Sequence, residues 1–138
     1  MTLSEYAAKT IGELIEKVAS QAAEVGKDAS EHRIHDLRVA IRRLSETLRV
    51  FEDVCLEESA VAVRKDLREA MQLAGSIRNH DIAIDLAGKA KVKLNDSFEA
   101  ERAQVVRDLC EVLAQWNSGR IFKTWRTQLH AQKARQRT

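Results

Sequence analysis

Residues 34–51 read Ile-His-Asp-Leu-Arg-Val-Ala-Ile-Arg-Arg-Leu-Ser-Glu-Thr-Leu-Arg-Val-Phe. The apolar residues of this segment recur at alternating steps of three and four: Ile34, Leu37, Ile41, Leu44, Leu48 and Phe51. An α-helix has 3.6 residues per turn, so this spacing places all of them on one side. Because such an apolar seam is typical of a helix packed in a bundle, the segment predicts an amphipathic bundle helix.

The composition of the whole chain favours the all-α class. The 138 residues include no proline and five glycines, and proline is the residue that most often ends a helix. Aromatic residues make up 4% of the chain, which argues against a β-sandwich core. A chain of this length is expected to form one ordinary domain.

The same apolar spacing predicts further helices on both sides of this segment. They cover residues 3–25, about 58–73 and about 77–114, the last with a candidate break near Asn95-Asp96. Gly26 is expected to end the first helix, and Ser30 to cap the second. Gly75 and Ser76 predict a turn between the third and fourth helices.

We therefore expect a single domain over residues 1–138, built as an antiparallel four-helix bundle with a C-terminal helical extension. The bundle core is expected over about residues 3–115, and a basic C-terminal helix over about 118–135. Phe122, Trp125 and Leu129 would form the apolar side of that extension.

Two further features indicate the compartment. No uncharged apolar segment is long enough to cross a bilayer, and the N-terminus lacks the pattern of a signal peptide. Cys55 and Cys110 are far apart and form no CxxC pair. We expect a cytoplasmic protein without membrane contact, whose thiols are reduced and structural.

The helix over residues 34–51 carries a basic stripe beside its apolar seam. His35, Arg38, Arg42 and Arg49 are neighbours on the helix surface, and Arg43 lies next to them. At about 1.5 Å per residue the stripe is about 21 Å long. Arginine holds phosphate oxygens by a two-pronged hydrogen bond, so the stripe suits a polyanion. A solvated charged face explains the same spacing equally well.

Two motifs resemble those of one known family. Residues 35–44, His-x-x-Arg-Val-x-x-Arg-Arg-Leu, resemble the first motif of the CHAD family, the conserved histidine α-helical domain. Residues 75–82, Gly-Ser-Ile-Arg-Asn-His-Asp-Ile, are similar to the family's second motif, a glycine followed by Arg-Asp-x-Asp-Val. The motifs occur in the family's order, and the resemblance covers residues 30–90 well.

The resemblance implies a helical bundle that binds inorganic polyphosphate through histidine, arginine and lysine side chains. It assigns a binding role to five residues of this chain: His35, Arg38, Arg42, Arg43 and Arg78. Arg49 joins the predicted site because it belongs to the same stripe. Such binding would be compatible with a location at cytoplasmic polyphosphate granules.

Four features depart from the family pattern. Asp36 and Ser45 occupy positions where other residues, often basic ones, are commoner, and Asn79 replaces the first aspartate of the second motif. CHAD domains typically consist of two related four-helix bundles that face each other across a basic cavity, whereas this chain has the length of one. Either binding is weaker than usual, or two chains pair and rebuild the cavity. We expect such a homo-oligomer, a dimer in the simplest case.

Other basic residues are candidates for an extension of the site. Arg64 and Arg68 are one turn apart on the third predicted helix. The C-terminal block contains no acidic residue, and its basic residues recur at steps of three: Arg120, Lys123 and Arg126. A docked helix with its charges in water explains that block as well. Asp81 is expected to orient Arg78 or a neighbouring arginine, or to join an i,i+4 ladder of ion pairs.

The alternative functions fit the sequence less well. Nucleic acid binding competes on charge, but the stripe has almost no aromatic partners for base stacking, and no turn resembles a helix-turn-helix. A phosphotransfer role for His35 would leave the other arginines without a function. His32 and His35 have HxxH spacing without a second pair of metal ligands. Since no set of nucleophile, base and acid is visible either, we expect a non-enzymatic protein without a metal or cofactor.

Overall fold

The structure is a computed structural model that describes residues 2–51, 57–118 and 121–125. Four helices follow one another along the chain: α1 Leu3–Lys27, α2 Glu31–Val50, α3 Glu57–Ala90 and α4 Asp96–Ser118. Residues 121–125 form a further helical segment. These ranges contain no β-strand, which confirms the all-α class. None of their helices is both long enough and apolar enough to span a membrane.

The connection between α1 and α2 lies close to its predicted position. The hydroxyl of Ser30 accepts a hydrogen bond from the backbone N–H of Arg33 at 3.3 Å, which confirms Ser30 as the cap of α2. The predicted end of α1 at Gly26 is wrong. The helix continues through Lys27, because the backbone N–H of Asp28 still donates to a carbonyl of the last helical turn.

α3 continues without a break through Gly75 and Ser76, so the predicted turn at these residues is wrong. Ala74 and Ile77, on either side, are fully buried at helical spacing. A glycine inside a helix costs about 1 kcal/mol relative to alanine, and burial of neighbouring apolar side chains offsets a cost of that size. The predicted helix over about 58–73 and the first part of the one over about 77–114 therefore belong to one helix.

The chain instead turns after Ala90. Lys91 has a φ of 54°, in the left-handed region that often follows the last residue of a helix. The backbone N–H groups of Lys91 and Val92 donate to carbonyls of the last turn of α3, at 3.3 and 2.9 Å. This pair of bonds is a Schellman motif. α4 then begins at Asp96, as the candidate break near that residue predicted.

The helices form a bundle in which each packs against the next along the chain and α4 packs back against α1. Short connections make consecutive helices antiparallel neighbours. The largest fully buried aliphatic side chains come from all four helices: Ile15, Ile34, Leu37, Ile41, Leu44, Leu48, Leu67, Ile77, Leu109 and Leu113. The predicted apolar seam of α2 is thus its inner face, and the partly buried Phe51 packs at its end.

α3 is much longer than α2, with 34 residues against 20, or about 51 Å against about 30 Å. α3 runs antiparallel to α2, and Arg78 contacts the first turn of α2. Residues 79–90 therefore extend beyond the N-terminal end of α2. We call residues 79–90 the α3 arm. Large apolar side chains on the arm and just after it are more than one third exposed: Ile82, Ile84, Leu86 and Val92.

The segment over residues 121–125 is docked on the bundle. Trp125 is 1% exposed, and its ring centroid lies 5.2 Å from that of Trp116 and 5.3 Å from that of Phe122. The indole N–H of Trp125 donates to Asp66 of α3 at 3.3 Å. Phe122 and Trp125 therefore form the predicted apolar contact, whereas Leu129 lies outside the described residues.

We expect Trp125→Ala to lower the free energy of unfolding by about 3–5 kcal/mol, because it empties the space that the indole fills. Urea denaturation followed by circular dichroism measures this change. Lys123→Ala, at an exposed position of the same segment, is the control and should change stability by less than about 0.5 kcal/mol. A cost below about 1 kcal/mol for Trp125→Ala would contradict docking of the segment in solution.

Candidate polyanion-binding site

The turn between α1 and α2 is held by Arg33, which lies outside the basic stripe. Its Nη1 donates to the backbone oxygen of Glu24 at 3.2 Å, and its guanidinium pairs with the carboxylates of Glu24 and Asp28 at 3.4 and 3.9 Å. The apolar seam of α2 faces inward, and the stripe lies beside it at the surface of the bundle. Four of its residues are exposed, His35, Arg42, Arg43 and Arg49, and Arg38 is half-buried.

Part of the stripe borders a groove between α2 and α3. Arg42 and Arg49 line this shallow cavity of about 260 Å³, together with Arg64 and Arg68 of α3. We call it the α2–α3 groove. The tertiary structure therefore brings the two predicted extension residues of α3 beside the stripe. Four guanidinium groups from two helices surround the groove, and Glu46 is the one carboxylate in its described lining.

The other part of the stripe borders a groove between α1 and α2. His35 and Arg43 line this cavity of about 400 Å³ together with Lys17 of α1. Sequence reasoning missed Lys17, because no motif marks this single cation on α1. Asp36 also lines the cavity, and its carboxylate pairs with His32 one turn earlier at 3.2 Å. We call this cavity the α1–α2 groove.

Arg38 is the half-buried member of the stripe and lies closer to the core than its exposed members. Its Nε atom is buried and has no hydrogen-bond partner among the described residues. Buried N–H groups are normally hydrogen-bonded, and one without an acceptor costs about 1–3 kcal/mol. The guanidinium of Arg38 is therefore a candidate donor to a ligand oxygen.

Arg78 is held at the end of the stripe nearest the start of α2. Its Nη1 lies 2.7 Å from Oε1 of Glu31, in the first turn of α2. The predicted i,i+4 ladder on this helix is present at Asp85 and Lys89, 3.2 Å apart. Asp81 does not take part in it, because its carboxylate pairs with an arginine of α4.

That arginine is Arg102, a residue that sequence reasoning missed. Its Nε and Nη2 donate to the two carboxylate oxygens of Asp81 at 2.7 and 3.2 Å, and Nη2 also donates to the backbone oxygen of Ala29 at 3.2 Å. The hydrogen bonds to Asp81 raise the pKa of the Arg102 guanidinium, although burial opposes the shift. We call this contact the Arg102 clamp, because it joins α3, α4 and the α1–α2 turn. Asp81 lies in the second motif, whereas no motif marks Arg102.

His80, within the second motif, has a structural environment. Its Nδ1 donates to the backbone oxygen of Ser76 at 2.8 Å, and its ring centroid lies 4.7 Å from that of Phe98. Nε2 lies 3.7 Å from the carboxylate of Glu101. The side chain is 16% exposed, so it packs between α3 and α4 rather than beside the stripe.

The remaining predicted positions lie at the C-terminal segment. Lys123 is exposed, two residues before the buried Trp125. Arg120 and Arg126 lie outside the described residues. The hydrogen bond of Trp125 to Asp66 places the segment against α3. Asp66 lies between Arg64 and Arg68 in the sequence. Within the described ranges, no group of three histidine, cysteine or acidic side chains is arranged to hold a metal ion.

The described helices form an all-α bundle, and arginines of α2 border two of its grooves. Residues 9–137 match the family model of the CHAD domain, and the match includes both sequence motifs. The chain belongs to the CHAD domain family. Comparison with curated proteins and with solved structures found no match.

We expect the Arg102 clamp to stabilise the bundle measurably. In a double-mutant cycle with Asp81→Asn and Arg102→Gln, the coupling free energy should be about 1–3 kcal/mol, because both partners are largely removed from water. Urea denaturation of the four proteins gives this value. The exposed pair Asp85 and Lys89 is the matched control and should couple by less than about 0.5 kcal/mol. Equal coupling in the two cycles would contradict a special role for the clamp.

Proposed function

We propose that this protein binds inorganic polyphosphate without catalysis, by electrostatic capture along α2. The observation that carries the proposal is the α2–α3 groove, where Arg42 and Arg49 meet Arg64 and Arg68. Membership of the CHAD domain family supports the choice of anion, since the resemblance on residues 35–44 and 75–82 implies polyphosphate. The binding residues in this proposal are His35, Arg38, Arg42, Arg43, Arg49 and Arg78, with Arg64 and Arg68 as the extension.

The shape of the surface supports a polymeric ligand. The α2–α3 groove and the α1–α2 groove are shallow and lie on either side of the same helix. Cations spread over about 21 Å of α2 can contact several phosphates of one chain at the same time. Each guanidinium offers a fork of N–H donors that matches two phosphate oxygens. A single small anion would engage only a fraction of these donors.

Nucleic acid is the alternative ligand for the same charges. Single-stranded nucleic acids usually bind through aromatic side chains that stack on the bases. The described lining of the α2–α3 groove contains arginine, apolar, serine and glutamate side chains and no aromatic one. This composition favours a ligand that consists of phosphate alone. The proposed setting is the cytoplasm, on the sequence argument from Cys55 and Cys110.

The test is a competition titration at fixed salt with long-chain polyphosphate, duplex DNA and single-stranded RNA. We expect polyphosphate to bind most tightly, and its affinity to fall steeply with salt as condensed counterions are released. The double variant Arg42→Gln, Arg49→Gln should bind polyphosphate at least about tenfold more weakly and reduce the slope of log K against log salt by about two. Fluorescence anisotropy with a labelled polyphosphate measures both quantities.

Arg107→Gln is the matched control for these variants. Arg107 is an exposed arginine of α4, a helix that packs on α1 and α3. Its loss should change the affinity less than about twofold, since it lies away from the proposed contacts. Equal or tighter binding of either nucleic acid would overturn the assignment to polyphosphate. Equal losses in the control and the double variant would overturn the assignment to α2.

We also propose that two copies of the chain associate through the α3 arm. Ile82 and Leu86, four residues apart on one face of the helix, are exposed there, and adjoining exposed apolar side chains mark a candidate interaction surface. The arm carries both an acidic and a basic side chain, Asp85 and Lys89. Two arms in antiparallel order would place the acidic side chain of one copy next to the basic side chain of the other, which gives the self-complementary contacts of a twofold interface. Such a dimer would join the basic surfaces of two bundles.

We expect the protein to be a dimer at micromolar concentration and Leu86→Lys to shift it to a monomer, because a buried unpaired ammonium is unfavourable in an apolar interface. Sedimentation equilibrium measures the mass. Val61→Lys, at an exposed apolar position of α3 far from the arm, is the control and should leave the mass unchanged. A wild-type protein that is monomeric at every concentration would overturn the dimer and leave the binding site as that of a single bundle.

A further inference from the structure

The ion pair between Arg78 and Glu31 joins a proposed binding residue to a carboxylate of this chain. Nη1 of Arg78 lies 2.7 Å from Oε1 of Glu31, and the two residues are 47 positions apart in the sequence. Their side chains are 36% and 63% exposed. A polyanion that approached Arg78 would therefore meet a guanidinium that already has an anionic partner.

The position of Glu31 favours a carboxylate. Glu31 lies in the first turn of α2, where unpaired backbone N–H groups give the helix end a partial positive charge. Glu31 also interacts electrostatically with Arg102, whose pKa is raised chiefly by Asp81 and in smaller part by Glu31. The carboxylate of Glu31 thus lies in the field of two guanidinium groups and a helix end.

The other nearby carboxylate is not available to Arg78. Asp81 is on the same helix, one turn further on, but the Arg102 clamp occupies both of its oxygens. Asp81 is 11% exposed and Arg102 is 25% exposed, so that pair is largely shielded from water. The Arg78–Glu31 pair is much more exposed, and an exposed pair contributes little stability. A multivalent anion can therefore displace Glu31, whereas the clamp stays closed.

Arg78 differs in this respect from the proposed binding residues on α2. Within the described part of the chain, Arg38, Arg42, Arg43 and Arg49 form no ion pair. These four arginines can contact an anion without releasing an internal partner. At Arg78, by contrast, a phosphate competes with the carboxylate of Glu31 for the same guanidinium.

We propose that Glu31 is an internal competitor for the phosphate position at Arg78 and thereby determines which anions the site retains. To bind at Arg78, an anion must carry enough negative charge to displace the carboxylate of Glu31. It must also overcome repulsion from that carboxylate, which stays close to the site. Polyphosphate, with a charge on every unit, meets these conditions, and a weakly charged anion does not. The inference rests on the proposed function and adds to it a residue that opposes binding.

The test is a double-mutant cycle on polyphosphate binding, with Glu31→Gln, Arg78→Gln and the combined variant. Isothermal titration at fixed salt with long-chain polyphosphate measures each affinity. We expect Glu31→Gln to bind about three- to fivefold more tightly than the wild type, as for loss of one exposed ion pair. In the Arg78→Gln background the same change should alter the affinity less than about 1.5-fold, because the competitor has lost its target.

Glu111→Gln is the control, because it makes the same change in net charge at an exposed position of α4. Its affinity should stay within about 1.5-fold of the wild type, since charges far from the ligand are screened. Thermal unfolding followed by circular dichroism verifies that all variants are folded.

Three results would overturn the inference: no gain with Glu31→Gln, an equal gain with Glu111→Gln, or a gain that persists without Arg78. Wild-type binding of polyphosphate together with any of these would leave the proposed function in place. Failure of both the wild type and Glu31→Gln to bind polyphosphate would overturn the proposed function itself, and this inference with it.

Discussion

Burial of the apolar seam of α2 is the constraint on which the candidate site depends. Ile34, Leu37 and Leu44 are fully enclosed between α1, α3 and the rest of the core. Rotation of α2 about its axis would expose these side chains and bring arginines into the core, where an unpaired charge is highly unfavourable. The hydrophobic core therefore determines which way the basic stripe points. Since α2 packs against a neighbour on each side, the stripe is bordered by two grooves rather than lying on an isolated ridge.

Two groups of arginines around α2 have different physical roles. Arg33 and Arg102 bind backbone carbonyls as well as carboxylates, so they join helices and turns to each other. Arg42, Arg43 and Arg49 extend from exposed positions of α2, whereas the Nε atom of Arg38 is buried. Arg78 lies between the two groups, because its partner Glu31 is a side chain on a neighbouring helix and the pair is exposed. A backbone carbonyl as partner thus distinguishes the contacts of Arg33 and Arg102, which maintain the fold, from the contact of Arg78, which a ligand can exchange.

The length of α3 links the core, the site and the proposed assembly. Its first half brings Arg64 and Arg68 to the α2–α3 groove, its middle carries Arg78, and its last turns form the α3 arm. A turn at Gly75, as the sequence predicted, would have separated these parts. Continuity of the helix keeps them in one rigid element, since a helix rises by a constant amount per residue. The apolar side chains of the arm are exposed because α3 extends beyond the N-terminal end of α2.

The sequence by itself determined the all-α class, the buried side of α2, the members of the basic stripe and the cap at Ser30. These features depend on the pitch of one helix and on contacts within four residues, so periodicity and capping rules are sufficient. The two motifs also indicated the family to which the chain belongs. Only the tertiary structure decided that Glu31 meets Arg78, that Arg102 holds Asp81, and that Lys17 lines the groove beside His35. Such pairs join residues far apart in sequence, and they depend on the length and relative position of whole helices. Packing of the complete core sets those quantities, and no local pattern records them.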